Sequence, residues 1–93
     1  MWDEAGFIAV VHGRVQGVSF RYFALKGAQS LGLKGYVRNL PGGRSVEVVA
    51  EGERAGLFEL LVHLNQGTMG ADVQEVDVSW TEASGSYEDF RIL

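Results

Sequence analysis

The stretch Gly13-Arg14-Val15-Gln16-Gly17-Val18-Ser19-Phe20-Arg21 carries the residue types needed to hold an anion without a metal. It follows the apolar run Phe7-Ile8-Ala9-Val10-Val11, passes Gly17 and enters a segment of helical periodicity. A strand-to-helix loop of this kind can turn several backbone N–H groups toward one point, forming an anion-binding nest. The start of the helix adds its own unpaired N–H groups and the positive end of its dipole. Gly17 permits a backbone geometry that a Cβ resists. Arg21 falls in the first helical turn, where a cation costs about 0.3–1 kcal/mol against the dipole. An anion between dipole and guanidinium removes that conflict, and the guanidinium fork can then grip a phosphate through two parallel hydrogen bonds. By position alone, Arg21 also reads as a solvated surface arginine. The loop is neither a P-loop, since no Gly-Lys-Ser/Thr follows, nor a dinucleotide fingerprint.

Other chemistry-bearing residues form no comparable group. His12 lies on the first strand and His63 within the second helix, with no ligand-type residue at metal spacing from either. Both read as structural or surface histidines. Ser19 and Ser45 have no evident base partner, so a nucleophilic triad has no support. There is no cysteine, which excludes disulfides, a thiolate nucleophile and Cys-based metal sites. Glu47, Glu51 and Glu53 read as a solvated face. Trp80, Tyr36, Phe20 and Phe23 read as core residues. Asn39, taken singly, is a turn residue.

The elements that must position the loop follow from periodicity. A strand over Phe7–Val11 ends at Gly13. A helix then opens with Ser19 as N-cap and buries Phe20, Phe23, Ala24, Ala28 and Leu31 on one face, stopping at Gly32. Leu33 to Asn39 has strand character, and Leu40-Pro41-Gly42-Gly43 is a turn. Val46, Val48 and Ala50 alternate with Glu47 and Glu51 in a strand that closes a hairpin; Val49 interrupts the polar face, which implies partial cover on both sides. Glu53 to Asn65 places Leu57, Phe58, Leu61 and Leu64 at helical spacing, with Gly67 beyond its end. Val76, Val78 and Trp80 alternate with Asp77 and Ser79, and Tyr87 to Leu93 supplies a short last strand. The order β-α-β-β-α-β plus a terminal strand predicts an α+β, ferredoxin-like sandwich, two helices on one face of an antiparallel sheet. That fold hosts many functions and settles no chemistry.

Length and charge narrow the field. The 93 residues make a single domain, 1-93, with 46% apolar and 22% charged residues, as in an ordinary globular protein. The start Met1-Trp2-Asp3-Glu4 does not read as a signal peptide, and no apolar run is long enough to cross a bilayer. With no disulfide staples the expectation is cytoplasmic, and nothing demands more than a monomer. Between Ala5 and Val46 no acid occurs, whereas Arg14, Arg21, Lys26, Lys34, Arg38 and Arg44 do; apart from Asp3 and Glu4, every acid lies from Glu47 onward. The formal net charge is −4. A small anion therefore suits the first half of the chain better than a nucleic acid suits the whole. The Val46–Glu51 strand has no aromatic and two glutamates, which argues against RNA binding.

Two segments together resemble a known family. Gly13 to Arg21 resembles the first acylphosphatase signature, and Gly35-Tyr36-Val37-Arg38-Asn39 the start of the second, continued by Val46 and Gly52. Leu31-Gly32-Leu33 and the Val76/Val78/Trp80 strand also sit where the family has them. The resemblance implies a ferredoxin-like fold and hydrolysis of small acyl phosphates to carboxylate and inorganic phosphate, with no metal and no cofactor. It implies Arg21 as the substrate-binding arginine, Asn39 as the water-positioning residue, and Val15, Gln16, Gly17, Val18 and Ser19 as the backbone phosphate cradle. Inorganic phosphate or a similar anion would bind as product or inhibitor; no nucleic acid or membrane is implied. Two departures stand out. The turn after Asn39 is one residue longer than the usual pattern, counted at Gly42 or Ser45, and Thr68 and Met69 stand where the family often has prolines. The alternative is a non-catalytic anion-binding or regulatory module of the same fold, which would need the arginine but not the asparagine. The related domain that opens the hydrogenase-maturation carbamoyltransferases belongs to a far longer chain with zinc-binding cysteines, unlike this one.

Overall fold

A computed structural model describes residues 3–93. In chain order the elements are β1 (Glu4–Arg14), α1 (Phe20–Ser30), β2 (Lys34–Asn39), β3 (Ser45–Glu53), α2 (Arg54–Gln66), β4 (Asp72–Thr81) and β5 (Phe90–Ile92). The five strands form one sheet in the order β4-β1-β3-β2-β5. The ferredoxin-like expectation holds, with one amendment to the sheet. β1 pairs antiparallel with β3 and β4, and β2 with β3, but β5 runs parallel to β2. The sheet is therefore mixed rather than antiparallel. From β4 on one edge the chain returns across residues 82–89 to the other edge, and Gly35 N–H to Asp89 O and Leu93 N–H to Val37 O, both 2.9 Å, lock the last strand in place.

β1 is longer than the Phe7–Val11 run that marks it. Gly13 does not end the strand. The β1–β4 register shifts between His12 and Gly13, and the Gly13 N–H reaches Arg44 O at 2.9 Å. The extra residue of this bulge is Gln74 of β4, and Gly13 lies opposite it, so close to β4 that a Cβ would collide with the Asp72 carbonyl.

Alternation decides the buried face. Phe7, Ala9 and Val11 of β1, Val37 of β2, and Val46, Val48 and Ala50 of β3 are fully buried under Phe20, Ala24 and Ala28 of α1 and Leu57, Leu60 and Leu64 of α2. The buried line of α2 differs from the one its spacing suggests. Leu60 is buried and Leu61 half-buried, while Phe58 is 57% exposed. Phe58 instead leans on Trp80 at the rim, ring centroids 5.1 Å apart, and Trp80 is itself 43% exposed rather than core. β4 is an edge strand, so its alternation buries only half-covered side chains. Val49 is buried as expected, on the side away from the helices, between Ile8 and Tyr36 on the neighbouring strands.

Gly35 has φ +140° beside β3, and a Cβ there would collide with the Val49 carbonyl. Gly35→Ala is expected to cost about 2–3 kcal/mol, because backbone must move and the conformation is strained. For a domain of this size that is a fall in Tm of roughly 10–20 °C by calorimetry.

On the sheet face opposite the helices, Glu47 is not merely solvated. Its Oε1 accepts from the Arg38 Nε–H at 2.7 Å and the Tyr36 hydroxyl at 3.1 Å. Glu51 likewise accepts from Ser84 N–H, Ser84 O–H and Gly85 N–H at 2.8–3.1 Å, tying the return segment to β3. Partial burial, then the Glu47 carboxylate, raise the Tyr36 pKa above its ordinary value of 10.0. The folded phenol thus keeps a proton that the unfolded one releases. Its stabilising share is present in full below about pH 10 and is lost as pH climbs through the raised value. Urea titrations of wild type and Tyr36→Phe from pH 9 to 11 are expected to show a steeper loss of stability in the wild type.

Candidate active site

The loop between β1 and α1 begins from a buried anchor, Val15, 1% exposed. Gly17 takes φ +74° at the exposed crest, which a side chain would strain. Ser19 then occupies the N-cap position, as its sequence context predicts, and its carbonyl accepts the Phe23 N–H at 3.0 Å. Its hydroxyl, however, makes no capping bond. A capping serine is normally extended; Ser19 is left-handed, φ 61° and ψ 23°, and its side chain leaves the first turn of α1 uncapped. No acid stands in that turn either. The positive end of α1 is therefore uncompensated, and Arg21 adds to it. Among the described residues Arg21 has no ion-pair partner, unlike Arg38 and Arg91.

A cavity of about 280 Å³ opens here, lined by Val15, Gly17, Ser19, Phe20, Arg21, Tyr22, Asn39 and Ile92. It joins Arg21 and Asn39, 18 positions apart in sequence (39 − 21), with three members of the expected cradle. Asn39 arrives from the end of β2, in register with Val46. The longer turn after it does not disturb that register. Leu40 N–H closes on Ser45 O at 3.0 Å, and the added length is taken up at the exposed tip, residues 41–44.

The other two cradle residues direct their side chains elsewhere. Val18 packs against the core. Gln16 spans the loop and the hairpin: its Nε2 donates to Leu40 O and to Ser45 O, each at 2.9 Å. One carboxamide with two donor hydrogens thus ties the β1–α1 loop to the residue that follows Asn39. Nothing in the sequence signals this, because the partners lie 24 and 29 positions away. Ile92 is a second unanticipated member, brought to the cavity by the parallel placement of β5. Gln16→Ala is expected to lower kcat about tenfold at a temperature where the variant is folded, since small misplacements of a positioning group are costly; stopped assays beside a thermal melt check it.

Electrostatics favour this cavity over the larger one, about 600 Å³, at the other end of β2. That space is lined by Glu4, Glu51, Glu53 and Glu59 against Lys34 alone and repels an anion. The histidines are engaged away from the site. His12 Nε2 lies 3.0 Å from Asp77 Oδ2, and His63 lies against the Phe23 carbonyl at 3.2 Å. Among the described residues no three His, Asp or Glu side chains converge as a metal-binding group.

Comparison with known proteins agrees with this geometry. The family model described as acylphosphatase matches residues 7–92. An acylphosphatase of Dehalococcoides mccartyi is 52% identical over 84 residues, covering 90% of this chain and 92% of the relative. One of Thermus thermophilus is 55% identical over 78 residues, covering 84% and 88%. The crystal structure of acylphosphatase from Bacillus subtilis superposes with a TM-score of 0.91 at 32% identity, covering 96% of this chain and 98% of that one. A match of this extent, on a chain whose two signature segments meet in one cavity, places the protein in the acylphosphatase family, and its activity is that of an acylphosphatase.

Proposed function

We propose that the phosphoryl group of a small acyl phosphate binds in the cavity between the 15–19 loop, Arg21 and Asn39, and is hydrolysed there without a metal or cofactor. The observation that carries this assignment is the convergence of Arg21 and Asn39 on one cavity beside an uncapped helix start. Backbone N–H groups of Val15 to Ser19 and the Arg21 guanidinium hold and neutralise the phosphoryl oxygens. Asn39 holds a water in line with the bond to be broken. The water oxygen forms a bond to phosphorus as the bond between phosphorus and the acyl oxygen breaks. The electron pair leaves with the carboxylate, a good leaving group that needs no strong acid. An amide is a poor base, so the water's proton passes to an oxygen of the substrate phosphoryl group itself. Inorganic phosphate, the product, competes for the same place.

The chain is further read as a single-domain monomer, 1–93, working in the cytoplasm. The absence of cysteine supports a reducing compartment, and among the described residues no helix is long and apolar enough to cross a membrane. Hydrolysis of benzoyl phosphate by the purified protein with a chelator present tests the assignment. Turnover that survives the chelator and is inhibited competitively by inorganic phosphate is expected. A folded protein that binds phosphate but does not turn over the substrate would instead be the anion-binding module.

A further inference from the structure

Among the described residues Ser19 is the one non-glycine residue with a positive φ, 61°. A Cβ makes that conformation costly, and serine is not among the residues that visit it readily. The first turn of α1 loses a cap by it. An extended Ser19 would set its Oγ on the first N–H groups of the helix, whereas the left-handed one makes no capping bond. Its backbone is anchored all the same, since its carbonyl accepts the Phe23 N–H at 3.0 Å. The hydroxyl, exposed and without a hydrogen-bond partner among the described residues, lines the phosphate cavity. Strained residues of this kind cluster at active sites, where the strain is part of the mechanism.

Ser19 also stands at the rim. It lines both the phosphate cavity and the adjoining concavity between α1 and α2, whereas Val15 and Phe20, each 1% exposed, close the cavity floor. The acyl end of a substrate held by Arg21 therefore points outward past Ser19. Tyr22, the other hydroxyl at the rim, runs along α1 toward Lys26, whose ammonium is 6.0 Å from its ring centroid. The walls of the cavity differ in origin: Asn39 and Ile92 come from β2 and β5, Ser19 from the loop before α1. In-line attack by a water at Asn39 sets the leaving oxygen on the far side of phosphorus, toward the wall that carries Ser19.

We propose that the Ser19 hydroxyl is a further catalytic group of this enzyme, donating a hydrogen bond to the oxygen that joins the acyl and phosphoryl groups as the bond from that oxygen to phosphorus breaks. The inference rests on the phosphoryl group lying against Arg21 and Asn39. In the intact substrate that oxygen is shared between two electron-withdrawing groups and is a weak acceptor. As the bond breaks it takes the electron pair and becomes a carboxylate oxygen, a far better acceptor. The proton stays on Ser19 throughout, so the hydroxyl acts as a fixed donor and not as an acid. A hydrogen bond that strengthens only on the way to the transition state lowers the barrier of the chemical step and leaves substrate affinity nearly unchanged. It matters most for an acyl group whose carboxylate is the poorer leaving group.

Single-turnover rates of wild type, Ser19→Gly, Ser19→Ala and Ser19→Asn with benzoyl phosphate and 4-nitrobenzoyl phosphate test the role. The two substrates share a shape, but the nitro group already draws charge from the leaving carboxylate. Ser19→Gly should slow benzoyl phosphate about tenfold, the worth of one hydrogen bond to a developing charge, and 4-nitrobenzoyl phosphate only about threefold. Ser19→Ala keeps the Cβ and should lose the same rate, which separates the hydroxyl from the looser backbone of glycine. Ser19→Asn, which tolerates the left-handed conformation and carries a donor, should recover part of the loss. In thermal melts Ser19→Gly is expected to be no less stable than wild type, since glycine relieves the strain. Inorganic phosphate should inhibit all four proteins equally. Unchanged rates in Ser19→Gly and Ser19→Ala, an equal fall with both substrates, or a weaker inhibition by phosphate in step with the fall would each overturn the role and leave the phosphate site standing. Failure of wild type to hydrolyse either substrate would overturn both.

Discussion

Asn39→Ala is expected to lower kcat for benzoyl phosphate by roughly 10²–10³-fold, the scale for removing one well-placed polar group from a reaction centre. The same variant should bind inorganic phosphate as wild type does and unfold at nearly the same temperature. The structural reason is the way Asn39 is held. Its backbone belongs to the last register pair of the β2–β3 ladder, so replacing the side chain leaves the strand intact. The side chain is exposed, lines the cavity and makes no hydrogen bond to another described residue, so its loss leaves no buried polar group unpaired. What disappears is the one uncharged amide facing the phosphoryl position. A water is still present in the alanine variant, but it is no longer held in line, and the advantage of orientation is lost. Asn39→Asp should be at least as damaging despite its similar shape, because a carboxylate beside the phosphoryl group repels it. Rapid kinetics, phosphate titration and a thermal melt on the same preparations check the prediction. A parallel fall in phosphate affinity would mean that Asn39 holds the anion rather than the water, and rescue of Asn39→Ala by small exogenous bases would mean that proton transfer to the substrate is not the route.

Why Arg21 and Asn39 could be singled out, and Gln16 and Ile92 could not, has a physical basis. Periodicity reports which face of an element is buried, and it served well for Phe7, Ala9 and Val11 of β1, Phe20, Ala24 and Ala28 of α1, and Val46, Val48 and Ala50 of β3, although Phe23 and Leu31 at the flank of the α1 face are only half-buried and Ile8, on the other face of β1, is exposed. It served less well at the margins. β4 is an edge strand, so Trp80 alternates like a core residue yet stays 43% exposed. On α2 both Leu60 and Leu61 fit a helical stripe, and only the position of the sheet decides that Leu60 goes under. β5 has three residues, too few for any pattern to tell a parallel from an antiparallel partner. Gly13 reads as a stop in sequence and in space is a close approach to β4 within a continuing strand, because a glycine signals unusual backbone without saying which kind. The site divides in the same way. Arg21 and Gly17 belong to one local loop and are legible together, whereas Asn39 becomes informative only through the second signature, since its neighbours in space come from β1 and α1. Gln16 was expected to serve through its backbone; the double bond from its side chain to Leu40 and Ser45 is long-range and leaves no trace in local spacing. The glutamates show the converse. Glu47 and Glu51 look like solvent-facing charges in an alternating strand, but each gathers donors from other segments.

Arg21→Ala is expected to abolish phosphate binding and lower kcat/KM by roughly 10³-fold or more, the scale at which a single arginine supports phosphoryl transfer. Two separate facts make the effect large. The guanidinium is the only cationic group lining the cavity among the described residues, and it has no carboxylate partner to be released from when the substrate arrives. Its charge is therefore fully available to the three phosphoryl oxygens, over which the charge of the loose transition state is spread while the electron pair departs with the carboxylate. The uncapped start of α1 offers N–H groups to the same anion, but those dipoles are fixed and cannot replace a full charge. Arg21→Lys should recover charge without the two-pronged grip, regaining part of the phosphate affinity and less of kcat. Thermal melts separate this role from a structural one. Phosphate at about a hundred times its dissociation constant should stabilise wild type by about 2.7 kcal/mol, and Arg21→Ala should show no phosphate-dependent shift. In phosphate-free buffer the variant should lose little stability. Removing a cation from the positive end of a helix returns about 0.3–1 kcal/mol, which offsets the packing lost with the half-buried stem. A variant that unfolds far below wild type without phosphate would show that Arg21 holds the loop together, and its catalytic part would then have to be judged from Arg21→Lys alone.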